Sequence, residues 1–513
     1  MLKWAAALAL AGWSGAAMAQ TEGQQAPETP QAQQAASGQD APEQAAPAPA
    51  SAALTIERLY ASPGLSGPTP RALALSPDGA WLTMLRPRPD NAARFDLWAM
   101  DTATGEWRML VDSLRVGTGA QLSEEERMQR ERARIGGLQG IVTYAWAPDG
   151  HSILVPLDGD LYLATLDGEV RRLTATDACE LNPAISPAGG YVSFVRDQNL
   201  VVADLATGTE HVVTQGGGGA VHWGEAEFVA QEEMARSTGY WWAPGDRMIA
   251  VERFDETPVD IVTRSAIGAD GTRVYQQRYP RAGTANVLVE LYVLRPDGSG
   301  QVQVDLGSDP DIYLARVHWA PDGSALFVER ENRAQTVLDV LRVDPETGAS
   351  TVLFTERAAE RSWINLSDTF RVLRDGSVLW WSERDGHGHL YRWKDGTWTQ
   401  ITSGPWEVAD VVGVDEDARS VYFLGNRDGV LERHLYVTSL DAPGEIARLT
   451  ETGWWHGAVM DNAARRIIVT RSNPEQPPQV YPADTTGRRI AWIEENDVHD
   501  PHHPYNPYLA SHR

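Results

Sequence analysis

An all-β chain closed into an eight-bladed β-propeller, each blade a four-stranded antiparallel sheet, is what this 513-residue sequence predicts. Two recurring patterns and one shift in composition carry that expectation. The first pattern is a tight turn of the Ser/Ala-Pro-Asp-Gly kind between two apolar runs. The second is a hairpin that opens on a polar residue followed by an apolar pair. The shift falls near residue 54, where a stretch with almost no large apolar side chain gives way to steady aromatic and β-branched content.

The turns come in order. Ser76-Pro77-Asp78-Gly79 precedes Trp81-Leu82-Thr83-Met84-Leu85, and Ala147-Pro148-Asp149-Gly150 precedes Ile153-Leu154-Val155. Proline presets φ at the second turn position and Asp-Gly completes a tight reversal, so these are hairpin signals with a mechanism. Weaker copies stand at Ser186-Pro187-Ala188-Gly189 and Ala243-Pro244-Gly245-Asp246, and a clean one at Ala320-Pro321-Asp322-Gly323. Degenerate copies at Arg374-Asp375-Gly376, Asp415-Glu416-Asp417 and Asp461-Asn462 bring the series to eight. A second hairpin follows each turn, led by Asp96-Leu97, Asp160-Leu161, Asn199-Leu200, Glu290-Leu291, Leu338-Asp339, His389-Leu390, His434-Leu435 and Gln479-Val480. Two hairpins make four strands per repeat. A single sheet of that size buries neither face well, so eight such sheets stack into a closed ring. A pair of β-sandwiches would also show short strands and turns, but does not account for the same two-hairpin order eight times over.

The remaining segments have other characters. Residues 1–19 read as a secretory signal: Lys3 in the basic region, an apolar run from Trp4 to Gly15, and Ala17-Met18-Ala19 as the cleavage site. The run is shorter than the ~20 residues a bilayer needs, so no membrane span is expected after cleavage, and the mature chain is expected to be exported and periplasmic. Residues 20–53 are rich in Gln, Ala and Pro and read as a disordered linker. The propeller is expected over 54–487, with 488–513 as a segment leading out of it. A formal charge of −26 excludes a nucleic-acid partner, whose binders carry basic stripes. Cys179, the one cysteine, makes no internal disulfide and reads as a small buried residue. His499, His502, His503 and His512 sit in a Pro-rich tail with no rigid frame, so no metal is expected there, and no cofactor motif occurs.

Three insertions interrupt the repeat. Ser123 to Arg134 reads as a helix with a serine cap, acids in its first turn and arginines after it. A second holds Gln231-Glu232-Glu233-Met234-Ala235-Arg236, running into Gly239-Tyr240-Trp241-Trp242. The third, after Val262, carries Tyr279-Pro280-Arg281-Ala282-Gly283 and Asn286-Val287. Adjacent carboxylates repel, so a fold that fixes both supplies a cation between them, and a substrate ammonium is one candidate; a solvated acidic turn is the other reading.

With Glu232-Glu233-Met234, Gly239-Tyr240-Trp241-Trp242-Ala243-Pro244, Phe254-Asp255-Glu256 and Arg278-Tyr279-Pro280 in hand, the chain resembles the N-terminal β-propeller of the dipeptidyl peptidase IV family. The resemblance implies a propeller that gates an α/β-hydrolase domain and a peptidase that removes dipeptides with Pro or Ala second. It further implies that Glu232 and Glu233 bind the substrate's free amino group. In some members a propeller arginine contacts the substrate carbonyl, for which Arg132 and Arg134 are candidates and neither is assigned. The family's Gly-x-Ser-x-Gly elbow occurs nowhere in the 513 residues. The expectation is therefore a chain that recognises peptide N-termini, is inactive alone, and has a separate α/β-hydrolase subunit as a candidate partner. The alternative is an exported propeller that binds peptide or protein without catalysis.

Overall fold

The structure, a computed structural model, describes residues 53–441 and 444–512. The expected signal peptide, and the linker up to residue 52, lie outside the described residues. Eight antiparallel sheets follow one another along the chain, and the strands within each are hydrogen-bonded in sequence order. Blade 1 runs Arg71–Leu75, Trp81–Pro87, Arg94–Asp101, Trp107–Val111, and blade 7 runs Val408–Asp415, Ser420–Gly425, His434–Ser439, Ala447–Arg448. Each Pro-Asp-Gly type turn joins the first strand of its blade to the second, as the pattern requires.

The core is divided the same way. One apolar cluster lies between each pair of neighbouring blades, for example Phe194 and Val192 of blade 3 on Leu154 and Leu161 of blade 2. The last cluster joins Leu75, Leu82 and Met100 of blade 1 to Ile468 and Val480 of blade 8, which closes the ring. Alternating side chains serve the two neighbours of a blade: Leu326 and Val328 face blade 4, and Phe327 faces blade 6.

Polar side chains repeat with the blades. In blades 2, 3, 6 and 7 the leading residue of the third strand is followed by leucine, whose N–H donates to a threonine just past the fourth strand. The pairs are Leu161–Thr174 at 2.9 Å, Leu200–Thr214 at 2.9 Å, Leu390–Thr402 at 3.0 Å and Leu435–Thr450 at 3.1 Å. In blades 6 and 7 the leader is a fully buried histidine whose Nδ1 meets the same threonine oxygen, His389 at 3.1 Å and His434 at 3.0 Å. Tryptophans ahead of the Pro-Asp-Gly turns reach across to the preceding blade: Trp146 Nε1 donates to Thr83 at 2.9 Å and Trp242 Nε1 to Ser193 at 2.8 Å.

Two blades depart from the expected four continuous strands. In blade 8 only Trp455–Met460, Ile467–Asn473 and Gln476–Ala483 are regular; residues 489–494 bridge the outer edge through Val480 and Ala483. Positions 478, 480 and 482 present their backbone outward by alternation, and two of them are prolines with no N–H to give, so a full ladder does not form. In blade 4 the innermost strand is split into Val221–Glu225 and Thr238–Trp242, and a two-stranded ribbon, Ile261–Gly268 with Gly271–Arg278, stands between its second and third strands.

Among the described residues, a second, smaller unit comprises 53–67 together with 496–512. Within it, Thr55 caps the short helix Ile56–Tyr60 and Asn496 Nδ2 donates to Ser66 O at 2.9 Å. His503 meets Asn496 Oδ1 at 3.1 Å, while His499 and His502 are exposed. Among the described residues no helix is long and apolar enough to cross a membrane.

Candidate functional site

The split in the blade 4 inner strand is where the candidate site is built. The chain leaves at Glu225, forms a five-residue helix Phe228–Glu232, and returns at Thr238 beside the point of departure. The two strand halves nearly touch: a Cβ on Gly239 would lie 2.1 Å from Glu225 O, so only glycine fits. Glu232 is the last residue of the helix and Glu233 its C-cap, with the Glu233 N–H donating to Val229 O at 2.8 Å; both side chains are exposed. The chain then reverses through Ala235, held at φ 53°. That left-handed turn sends Met234 and Arg236 on either side of it into the interior. A non-glycine residue held there is strained by about 1–2 kcal/mol, and such strain persists where surrounding contacts fix it.

Those contacts are charged. Arg236, 6% exposed, pairs with Glu252 on the adjacent strand at 2.5 Å, and its guanidinium also donates to Thr238 O at 2.8 Å and to Leu314 O of blade 5 at 2.9 Å. At the other end of the helix, Glu227 is 3% exposed and accepts the N–H groups of Val229 at 2.5 Å and Ala230 at 2.8 Å. Burial, with Glu252 nearby, pushes the Glu227 carboxyl up to about 7.

The helical insertion comes to the same place. Its helix, Glu124–Arg132, is capped by Ser123 and carries the i,i+4 pair Arg130–Glu126 at 2.5 Å. Gln129 donates to Asn182 at 2.6 Å, and Arg132 Nη1 to Gln231 Oε1 at 2.9 Å. Arg132 Nε lies 4.0 Å from Glu232 Oε1, and its guanidinium covers the Phe228 ring at 5.1 Å. On the other side Tyr279, at the ribbon base, meets Phe228 edge-on at 5.2 Å. Burial draws the Arg132 pKa down, against the pull of Glu232, Glu256, Glu225 and Glu227. Burial also raises Glu256. His222, stacked on Phe254 at 4.6 Å, meets Glu225 Oε1 at 3.2 Å. Of the two candidate arginines, only Arg132 is brought to Glu232; Arg134 sits exposed in the left-handed turn after the helix. The segment just past the acids, Ser237 and Thr238, lines a cavity of ≈ 1000 Å³ together with Asn182 and His318 of inner strands and Tyr144 and Phe370, each just ahead of one.

A model of the dipeptidyl peptidase IV (DPP IV) N-terminal region matches residues 148–478. The chain belongs to this family. It is 27% identical over 464 residues to dipeptidyl peptidase 8 of Mus musculus, covering 72% of this chain and 52% of that one. It is also 27% identical over 346 residues to a probable dipeptidyl-aminopeptidase B of Aspergillus clavatus, covering 61% of this chain and 38% of the other. The chain spans about half the length, or less, of such curated relatives. The crystal structure of Porphyromonas gingivalis dipeptidyl peptidase 4 shares its fold, with TM-score 0.68 and 23% identity over 83% of this chain and 60% of that one.

The family-specific block is thus a mechanical unit as well as a signature. Gly239 allows the strand to close, Tyr279 props the helix, and Arg278 donates to Glu256 O at 3.0 Å and Val259 O at 2.9 Å to pin the ribbon. Sequence reasoning missed Glu227, Gln231, Arg236 and Glu252. One signal was present: Glu252 directly follows the apolar run Ile249-Ala250-Val251, and a carboxylate in a buried strand needs a partner. Cys179 is half-buried with its thiol on Glu126 at 3.1 Å, and burial together with that carboxylate raises its pKa, which suits an inert thiol.

Proposed function

We propose that this chain supplies the substrate-gating, amine-recognising propeller of a dipeptidyl peptidase IV-type exopeptidase that removes Xaa-Pro and Xaa-Ala dipeptides. Glu232 and Glu233 receive the substrate's α-ammonium. Three N–H donors on the ammonium meet two carboxylates as charge-assisted hydrogen bonds, and the clamp sets a fixed distance to the bond to be cut. Arg132, beside Glu232, offers its remaining N–H groups to the carbonyl of the first substrate residue. The serine, histidine and aspartate of hydrolysis belong to an α/β-hydrolase unit that works with the propeller, and export delivers the protein to the periplasm. What supports this reading is one observation: two adjacent exposed carboxylates, on a short helix whose supports are buried, beside an arginine from a different blade insertion.

Calorimetry with an Ala-Pro-Ala peptide, free and N-acetylated, tests it. Acetylation is expected to weaken binding at least about tenfold, and Glu232→Gln or Glu233→Gln to weaken the free peptide by a similar factor. Equal affinity for the two peptides would end the amine-clamp reading. A protein of these 513 residues is expected to leave a Gly-Pro chromogenic substrate intact; turnover by it would overturn the assignment of the chemistry to residues outside them.

A further inference from the structure

The clamp acids ride on a helix of only five residues, too short to be stable by itself, so their position depends on what holds its ends. The C-terminal end is held by Arg236, locked to Glu252 and to the blade 5 backbone. At the N-terminal end the Phe228 ring is packed by Arg132 and Tyr279, and Glu227 supplies the cap: its two oxygens accept the Val229 and Ala230 N–H groups, each by a separate bond. A buried glutamate is an expensive cap. Asn, Ser or Thr would do the same with a shorter side chain and without placing an ionisable group against Glu252. The groups that face Glu227 are Arg236 from the returning loop, Glu252 from the second strand of blade 4, Arg132 from the other insertion and Tyr313 from the inner strand of blade 5. The helix packs on that blade 5 strand, so the cap sits where two blades and an insertion converge.

We propose that Glu227 is the positioning residue of the amine clamp: its carboxyl caps the helix that presents Glu232 and Glu233, and in its ionised form it adds negative charge behind them. This rests on the amine-clamp reading above. An ionised cap accepts both N–H groups as charge-assisted bonds and adds its charge behind the clamp, where it attracts the ammonium through a dry interior. A protonated cap does neither. Burial raises the Glu227 carboxyl to about 7, so the exchange falls within the range of pH at which the protein works in a periplasm. The substrate amine must itself be protonated, and ordinary α-amino groups lose their proton near 7.7–8.0. Amine recognition is thereby confined to a band bounded below by Glu227 and above by the substrate.

The experiment is the ratio of peptide dissociation constants, Glu227→Gln over wild type, as a function of pH, because titration of the peptide cancels in the ratio. With free Ala-Pro-Ala the ratio is expected to be near one at about pH 5.5, where both caps are neutral, and to climb to about tenfold by about pH 8. With the N-acetylated peptide it is expected to stay flat. Glu227→Asp retains the charge and should recover part of the affinity at high pH. A ratio equally raised at every pH, or raised equally for both peptides, would mean that Glu227 merely holds the fold together, and overturns the proposal. Should the glutamine variant not fold, Glu227→Asp carries the same test: its shorter reach gives a smaller ratio that still rises with pH, and a flat ratio overturns the proposal. If acetylation makes no difference to the wild type at any pH, the clamp reading itself fails, which a flat ratio with selectivity intact does not imply.

Discussion

Blades 4 and 7 solve the same problem with different chemistry. Blade 7 has four uninterrupted strands, and its buried polar groups are met locally: His434, the Leu435 N–H and Thr450 are hydrogen-bonded within the blade. Blade 4 opens its innermost strand, extrudes the helix carrying Glu232 and Glu233, and holds the opening with buried charge, Arg236 with Glu252 and Glu227 at the cap. At this point blade 7 is stabilised by burial and local hydrogen bonds. The blade that carries the site has given up a ladder and accepts ion desolvation in its place, a pattern expected where geometry is kept for function at a cost in stability.

The largest test of that difference breaks the buried pair. Glu252→Ala leaves Arg236 buried without its carboxylate, and removing one partner of such a pair typically costs about 3–5 kcal/mol. Urea unfolding followed by tryptophan fluorescence should show this loss, together with abolished preference for a free peptide amine. A loss under 1 kcal/mol would mean the opening is held by packing, as in blade 7.

The next concerns pH and has a definite sign. Glu227 is raised in the fold from its ordinary 4.5 to about 7, so the folded chain holds that proton more tightly than the unfolded one. Its contribution to stability is full below about pH 4.5 and is lost as pH rises through about 7, amounting to about 3 kcal/mol. Glu331, fully buried in blade 5 and raised to about 8, adds a decline of the same sign. Glu227→Gln therefore isolates the blade 4 share: the decline between about pH 5 and 8 should shrink, leaving the variant more stable than wild type at alkaline pH while it binds the amine less well. An unchanged pH profile would show that the cap carries no proton linkage.

Smaller again is the effect of filling the close approach. In Gly239→Ala the new methyl meets the Glu225 carbonyl at a distance no real contact allows, and the two strand halves must separate. About 1–3 kcal/mol of destabilisation is expected. Binding of the free amine should weaken alongside, since the helix springs from this junction.

The contrast also explains what could be read from residues alone. Blade number and strand order were legible because each turn and hairpin leader is a local signal of three or four residues. The broken last blade was not, because Pro478 and Pro482 matter only once alternation places both on the outer edge. The ribbon was read only as inserted chain; its strands Ile261–Gly268 and Gly271–Arg278 pair with each other and leave most of their side chains in solvent, so no burial pattern marks them. Within the site, Glu232 and Glu233 stood out through their neighbours in sequence. Their supports did not, because Arg132 reaches Gln231 from 99 residues away and Arg236 reaches Leu314 across 78, and no spacing rule encodes such contacts.

The smallest prediction belongs to blade 7 and gives the comparison its scale. Thr450→Val keeps the shape of the side chain but removes the oxygen that accepts the Leu435 N–H and meets His434 Nδ1. Both partners are fully buried, so neither can turn to water. An unpaired buried donor costs about 1–3 kcal/mol, and relaxation of the His434 ring, whose Nε2 keeps Glu432 at 2.7 Å, should hold the loss near the lower figure. Thr450→Ser, which restores the hydroxyl, should recover most of it. Because Thr450, His434 and the Leu435 N–H are bonded within blade 7, neither variant should change the preference for a free amine over an acetylated one. If Thr450→Val did change that preference, the division between a structural ring and a charged site would be wrong, and the blades would have to be treated as one coupled unit.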